Sequence, residues 1–144
     1  LLTGPARGYV KTGIESLHIP YKHHYLQDYR DLWKSYHALD TYLVTSREEG
    51  GPKAVLESMA SGIPLISTKV GQAQDLVCQG VNGWLSEVAD AESLADNVLR
   101  VLEGTSSIEA VKKRARFTSE QNTYDSQLGL WRDFFKTLLR SSTL

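Results

Sequence analysis

The stretch TYLVTSREEGGPKAVLESMASGIPLIS, residues 41–67, decides the fold of this chain. Its apolar run 41–45 predicts a β-strand, and its apolar run 63–67 predicts a second one. Between them Pro52 suits the first position of a helix, where a missing N–H costs nothing. Gly62 suits the end of that helix, and Pro64 prevents its continuation. A strand, a glycine loop, a helix and a strand in this order predict a parallel β-α-β unit.

The same alternation of short apolar runs and amphipathic runs extends over most of the chain. It predicts an α/β fold, a Rossmann-like parallel sheet flanked by helices. The further strands are expected at residues 1–3, 19–26 and 84–85. Further helices are expected at 7–17, from Asp28, around 75–77, and from Asp90 to Gly104 with Leu94, Val98, Val101 and Leu102 facing inward. Two capping boxes, Ser106 with Glu109 and Thr118 with Gln121, predict two final helices.

The last of these helices carries one wide apolar stripe. Its members recur at spacings of four and three residues, namely Tyr124, Leu128, Trp131, Phe135 and Leu138. We expect part of this stripe to cover the sheet and the rest to contact protein outside this chain. The chain opens at Leu1-Leu2-Thr3 and not at a methionine, so we expect a piece of a longer protein. The predicted organisation is a lobe over residues 1–116, lacking its first strand-helix unit, and a terminal amphipathic helix over 117–144.

Composition excludes several classes of function. The 144 residues are 41% hydrophobic and 23% charged, with a net charge of −1, which gives no electrostatic basis for binding nucleic acid. The basic cluster 112–116 is read as a solvated helix face, with weak contact to anionic lipid as the alternative. Cys78 is the single cysteine, which suits a reducing compartment and hence the cytoplasm. No apolar run has membrane-spanning length, and neither the histidines nor the acidic residues form a metal motif.

The candidate site is the glycine loop. Ligands of an open parallel sheet bind at the carboxyl ends of its strands, and this loop leaves the strand 41–45 at that edge. Glu49 is the loop carboxylate, and Glu57 lies on the helix face that it shares with Lys53. The candidate backbone contacts are the close-approach positions Gly50 and Gly51 and the amides of Gly51, Lys53 and Ala54. The alternative interpretation is a surface ion pair of Lys53 with Glu57 and a loop carboxylate that favours the helix dipole.

Residues 46–68, SREEGGPKAVLESMASGIPLIST, closely resemble the E-x7-E segment of retaining family 4 glycosyltransferases of the GT-B fold. The likeness continues through residues 70–77, through 80–85, and into the helix that Asp90 opens. It covers the chain to about Gly104. The resemblance implies the C-terminal, donor-binding lobe of an enzyme of glycan biosynthesis. Such an enzyme moves a sugar from a nucleotide-sugar to an acceptor hydroxyl with retention.

The resemblance also implies a role for each site residue. Glu57 would accept hydrogen bonds from the ribose hydroxyls, and Glu49 would hold the donor sugar near the reacting carbon as the catalytic residue. The loop amides would contact sugar hydroxyls or the diphosphate. The base would lie near Tyr25 and Leu26. No metal and no cofactor is implied, and a sugar or lipid-linked acceptor would bind an N-terminal lobe that this chain does not contain, with peripheral membrane contact at most.

Two departures from the family pattern modify this expectation. Where the family often has Gly-Phe-Gly, this chain has Gly50, Gly51 and Pro52, so an aromatic ring and one amide donor are missing. The Arg and Lys that grip the diphosphate in the family are absent, and so is the acceptor lobe. We therefore expect the chain alone to transfer no sugar at a useful rate.

Two other classes of protein stay open at this point. One is a non-catalytic module that binds a nucleotide-sugar or a protein. The other is an unrelated α/β domain, which the lack of G-x-G-x-x-G after the first strand and of an acidic metal-ligand cluster disfavours.

Overall fold

The computed structural model describes residues 1–3, 8–26, 28–51, 53–104 and 108–141. The chain divides into two compact units, residues 1–39 and residues 40–144. The elements in chain order are β1 (Leu2–Thr3), α1 (Gly8–Ser16), β2 (His23–His24), a 3-10 turn (Tyr29–Asp31), α2 (Leu32–Tyr36), β3 (Tyr42–Val44), α3 (Lys53–Ala60), β4 (Leu65–Thr68), α4 (Ala73–Leu76), β5 (Trp84–Ser86), α5 (Ala91–Leu102), α6 (Ile108–Gln121) and α7 (Tyr124–Ser141).

The first unit holds a parallel pair of strands. Leu2 is the partner of His23 in the pairing of β1 with β2. The predicted strand 19–26 is therefore much shorter than expected. The helix expected from Asp28 begins as the 3-10 turn, because the Asp28 carboxylate accepts from the Arg30 backbone N–H at 2.9 Å. Hydrogen bonds from Arg30 also hold the pKa of the Asp28 carboxyl below its ordinary value, which favours the ionised form that caps the turn.

The second unit holds a three-stranded parallel sheet in the order β3-β4-β5. All four residues of the central strand β4 are buried. Val55 and Met59 of α3 and Leu65 of β4 pack in one core cluster, and Ile66 packs with Trp84 and the inner face of α5 in a second. Apolar groups therefore cover both faces of β4, as parallel strands require. The parallel sheets and flanking helices confirm the predicted fold class.

The end of α3 is built as the sequence predicted. Gly62 has a φ of +68°, a conformation that costs glycine little and other residues more. The Arg116 guanidinium of α6 lies against it, since a Cβ added to Gly62 would fall 2.5 Å from Arg116 Nε. This contact places a cation at the C-terminal end of α3, where the helix dipole favours one. The predicted signals at Gly4, Pro52 and Ser106 lie outside the described residues.

Asn82 holds the predicted turn before β5. Its side-chain oxygen accepts from the Cys78 backbone N–H at 2.7 Å. Its amide group donates to the Leu76 carbonyl and to the Thr118 hydroxyl, both at 2.9 Å. Asn82 is 4% exposed, so these bonds satisfy a buried amide. The turn is thereby tied to the last turn of α6.

Three predictions about the C-terminal half are wrong. Thr118 does not begin a helix, because α6 continues to Gln121 and Thr123 caps α7 by accepting from the Ser126 N–H at 3.1 Å. Leu102 does not face inward, since it is 61% exposed. The apolar stripe does not cover the sheet within the described residues, since its members in α7 stay exposed. By contrast, Asp90 does cap α5, accepting from the Ser93 N–H at 2.9 Å.

We expect Asn82→Ala to lower the free energy of unfolding by about 2 kcal/mol, because it removes three hydrogen bonds that tie the turn to its neighbours. Urea unfolding followed by circular dichroism measures this loss. Asn122→Ala is the matched control, since the Asn122 side-chain amide donates to the Thr118 carbonyl at 2.8 Å. Equal losses in the two variants would contradict the role given to Asn82.

Candidate functional site

The loop between β3 and α3 lies at the carboxyl edge of the three-stranded sheet. Val44 ends β3, and α3 begins at Lys53, so residues 45–51 leave the sheet where parallel strands present their carboxyl ends. Glu49, Gly50 and Gly51 are all exposed there. The structure thus places the predicted loop residues at the predicted edge.

Glu49 is held by its own loop. The Ser46 hydroxyl donates a hydrogen bond to Glu49 Oε1 at 2.7 Å. A carboxylate has about four lone-pair sites on two oxygens, so Oε2 keeps its accepting capacity for a ligand hydroxyl. Glu49 therefore offers a fixed, solvent-facing acceptor.

The beginning of α3 supplies the predicted donors. Lys53 is the exposed first residue of the helix, and Ala54 follows it. The first N–H groups of a helix have no partner within that helix, and they attract anions. A Cβ added to Gly50 or to Gly51 would meet nothing within 4 Å, so the loop presents bare backbone to solvent. Pro52 lies outside the described residues.

Glu57 lies in the second turn of α3. It is half-buried, beside fully buried Ser58 on the same helix. Its surroundings therefore differ from those of Glu49, which is exposed on the loop. One carboxylate on the loop and one on the following helix are what the sequence predicted.

The sequence analysis did not predict two site residues at the end of β4 and in the loop that follows it. Thr68 ends β4, is 1% exposed, and donates to the Ser46 carbonyl at 2.7 Å. Gly71 has a φ of +44°, and a Cβ there would lie 2.5 Å from the Gly50 carbonyl oxygen and closer still to that of Glu49. The sequence marked Gly71 as a loop residue but gave no sign of which segment it touches.

The cation of Lys69 is engaged in an ion pair with Glu87. Lys69 follows β4 and Glu87 follows β5, so the pair joins two adjacent loops at the carboxyl edge. Both side chains are about half exposed, at 46% for Lys69 and 66% for Glu87. The positive charge of Lys69 is therefore already paired with a carboxylate of this chain.

Tyr25 and Leu26 follow β2 in the first unit. Tyr25 is exposed, and its ring lies 4.1 Å from the His23 ring, centroid to centroid. Leu26 is half-buried. The same unit contains an open pocket of about 550 Å³, which neither of these residues lines. The lining residues are Leu1, Lys22, His23, His24, Asp31, Lys34, Ser35 and Ala38.

The described residues contain neither a group of metal ligands nor a membrane-spanning helix. Across the ranges from residue 1 to 141 with their gaps, no three His, Cys, Asp or Glu side chains cluster as metal ligands would. Within the same part of the chain, no helix combines the length and the apolar character that crossing a membrane requires.

Known proteins place this chain in a family. Its fold is a Rossmann-like α/β domain with a glycine loop and a carboxylate at the carboxyl edge of the sheet. The family described as Glycosyl transferases group 1 matches residues 3–120. The chain belongs to this family and is a glycosyltransferase domain. The prediction of a glycosyltransferase is thereby confirmed.

Individual relatives agree with this assignment. The chain is 34% identical over 77 residues to N-acetyl-alpha-D-glucosaminyl L-malate synthase of Bacillus anthracis, a match over 54% of this chain and 20% of that protein. It resembles the C-terminal domain of a glycosyl transferase group 1 family protein, LpcC, from Francisella tularensis, with a TM-score of 0.68 at 20% identity over 78% of this chain and 60% of that one. It also resembles Anabaena HepE in complex with UDP-glucose, with a TM-score of 0.76 at 22% identity over 97% of this chain and 40% of that one.

These relatives are longer than the segment they share with this chain. The matches span between 12% and 28% of the length of the curated relatives. Together the comparisons confirm the C-terminal domain of a GT-B glycosyltransferase. Membership of family 4 and the E-x7-E assignment stay predictions.

We expect Lys69→Met to lower the free energy of unfolding by less than about 1 kcal/mol, because half-exposed ion pairs are screened by solvent. Urea unfolding at low and at high salt tests this. Lys136→Met is the control, since Lys136 Nζ lies 3.7 Å from Asp133 Oδ1 in another exposed ion pair. A loss at position 69 well beyond that of the control would mean that the Lys69–Glu87 pair is a structural requirement.

Proposed function

We propose that this chain is the donor-binding domain of a retaining glycosyltransferase with the E-x7-E motif of family 4. The whole enzyme would move a sugar from a nucleotide-sugar to an acceptor hydroxyl. The bond from the anomeric carbon to the diphosphate breaks, a glycosidic bond of the same configuration forms, and a nucleoside diphosphate and one proton are released. The observation that carries this proposal is the family match over residues 3–120, within which Glu49 and the glycine loop lie at the ligand edge of the sheet.

The two glutamates have different tasks in this proposal. Glu57, half-buried on α3, accepts hydrogen bonds from the ribose hydroxyls of the nucleotide. Glu49, fixed by Ser46, accepts from a hydroxyl of the donor sugar and keeps the reacting carbon in place. Carboxylates suit both tasks because their hydrogen bonds with hydroxyl donors are short and strong.

Backbone amides hold the diphosphate and the sugar. Those of Gly50, Gly51, Lys53 and Ala54 surround the beginning of α3, where partial positive charge favours a leaving diphosphate. Lys53 adds an exposed cation. We propose further that the base lies near Tyr25 and Leu26, where an exposed aromatic ring offers a stacking surface.

The remaining features of the enzyme are also proposals. The reaction is metal-independent, because helix dipole, amides and cations take over the stabilisation of the diphosphate. The protein acts in the cytoplasm, which a single cysteine suits, with peripheral membrane contact at most. The chain comprises a lobe over residues 1–116 and a terminal segment over 117–144.

Sugar transfer requires a second protein surface that binds and orients the acceptor. We propose that an N-terminal lobe binds a sugar or lipid-linked acceptor. Support comes from the relatives, of which this chain spans less than a third, and from α7, whose apolar side chains are exposed. Trp131 is 58% exposed and Phe135 is 56% exposed. Such a face is suited to pack against a further part of the protein.

We expect Glu57→Gln to weaken nucleotide binding by roughly 10- to 100-fold. A hydrogen bond to a charged group contributes about 1.5–3 kcal/mol, and each 1.4 kcal/mol is about tenfold in affinity. Calorimetric titration with UDP, GDP, ADP and their glucose or mannose conjugates measures the change.

The matched control for this titration is Glu120→Gln, which removes an exposed carboxylate on α6. It should bind like the unmodified chain. Equal weakening in the two variants, or no binding of any nucleotide by the unmodified chain, would overturn the assignment of the site.

We expect this chain alone to bind donor without transferring sugar. Orientation of an acceptor supplies up to about 7–11 kcal/mol of barrier lowering, and in this proposal the N-terminal lobe supplies that orientation. Release of nucleoside diphosphate from UDP-glucose and GDP-mannose, with simple glycosides as acceptors, is the measurement. The B. anthracis relative with its own substrates is the positive control. Turnover comparable to that control would refute the prediction.

A further inference from the structure

We infer that Ser46 and Gly71 are positioning residues for Glu49, together forming a preset seat for the carboxylate that receives the donor sugar. The inference rests on the proposed function for the role of Glu49, while the seat itself rests on contacts within this chain. It assigns a task in donor-sugar recognition to two residues that touch neither the diphosphate nor the ribose in the proposal above.

The first half of the seat is a hydrogen-bonded series that begins in the core. Buried Thr68, at the end of β4, donates to the Ser46 carbonyl at 2.7 Å and lies 3.4 Å from the Val44 carbonyl. Ser46 in turn donates its hydroxyl to Glu49 Oε1 at 2.7 Å. The backbone at Ser46 is therefore fixed by the sheet, and the direction of the Glu49 carboxylate is fixed by Ser46.

The second half of the seat is a backbone wall. Gly71 approaches the carbonyl groups of Glu49 and Gly50 so closely that no side chain fits, since an added Cβ would fall 2.5 Å from the Gly50 carbonyl oxygen. This wall matters because the loop has little other support. Gly50 and Gly51 are exposed, and Cβ atoms added to them would meet nothing within 4 Å.

Preset geometry has a specific consequence for binding. A carboxylate already aimed at the sugar loses little freedom when ligand binds, so the seat strengthens the sugar's contribution to affinity. Loss of the Ser46 hydroxyl should leave the nucleotide's contribution unchanged, because that contribution depends on Glu57 and on the amides of Gly50, Gly51, Lys53 and Ala54. Perturbing the seat should therefore change the ratio of the dissociation constants of nucleotide and nucleotide-sugar.

The experiment titrates variants of this chain with UDP-glucose and with UDP by calorimetry, or with GDP-mannose and GDP if the guanine pair binds better. We expect Ser46→Ala to weaken the nucleotide-sugar about three- to tenfold while the nucleotide stays within twofold. Ser46→Thr keeps the hydroxyl and should restore the sugar's contribution. Ser16→Ala, which removes an exposed hydroxyl that donates to the Gly13 carbonyl at 2.8 Å, is the matched control.

Gly71 has an equally close control. Gly80 also has a positive φ, +71°, but an added Cβ there would meet nothing within 4 Å. Gly71→Ala and Gly80→Ala therefore share the backbone strain and differ in the clash with the glycine loop. We expect Gly71→Ala alone to reduce the sugar's contribution to binding and to accelerate amide hydrogen exchange in residues 46–51.

The outcomes separate the seat from the proposed function. The inference is overturned if Ser46→Ala keeps the sugar's full contribution to affinity, or if Ser46→Thr does not restore that contribution. It is also overturned if residues 46–51 show equal amide hydrogen exchange rates in Gly71→Ala and Gly80→Ala. If the unmodified chain binds no nucleotide-sugar while Gly71→Ala still loosens residues 46–51, the seat stands and the proposed function fails. If binding occurs and neither variant changes the ratio, the function stands and the seat fails.

Discussion

Burial of the central strand β4 is the constraint on which the second unit depends. Leu65–Thr68 are buried throughout, so each backbone N–H and C=O there needs a protein partner. The parallel ladders to β3 and β5 provide these partners, with Leu43 opposite Ile66 and Ile66 opposite Trp84. Because both neighbours run in the same direction, their following loops all leave one edge. The candidate site is a consequence of this pairing.

At that edge the strands β4 and β5 each end in a buried residue whose hydroxyl makes hydrogen bonds to a neighbouring segment. Thr68 ends β4 and binds the backbone of the loop that carries Glu49. Ser86 ends β5 and accepts from the Ser93 hydroxyl at 2.9 Å and from the Asn97 amide at 3.1 Å. Both strand ends are buried, so their hydroxyls must find protein partners. The rigid core thereby extends to the base of loops that are otherwise open to solvent.

The sequence predicted the β3–α3–β4 unit because its signals are local: a β-branched run, a glycine loop, and a helix end that favours a glycine in the left-handed conformation. It failed at Thr118 because packing overrode a local cap. Val111, Ala115 and Ser119 are buried at spacings of four and hold α6 on the core. The Thr118 hydroxyl is already used by the Arg114 carbonyl and by Asn82. Contacts between distant segments, such as Gly71 with Glu49, have no local pattern and could not be predicted.

The contact of Gly62 with Arg116 joins the end of α3 to a side chain of α6. A shorter residue at 116 would vacate the space beside Gly62, yet the φ of +68° would still restrict what could replace the glycine. Asparagine is the side chain best able to tolerate that backbone. An asparagine at 62 would also displace the flexible end of the Arg116 side chain, and with it the cation that lies at the C-terminal end of α3.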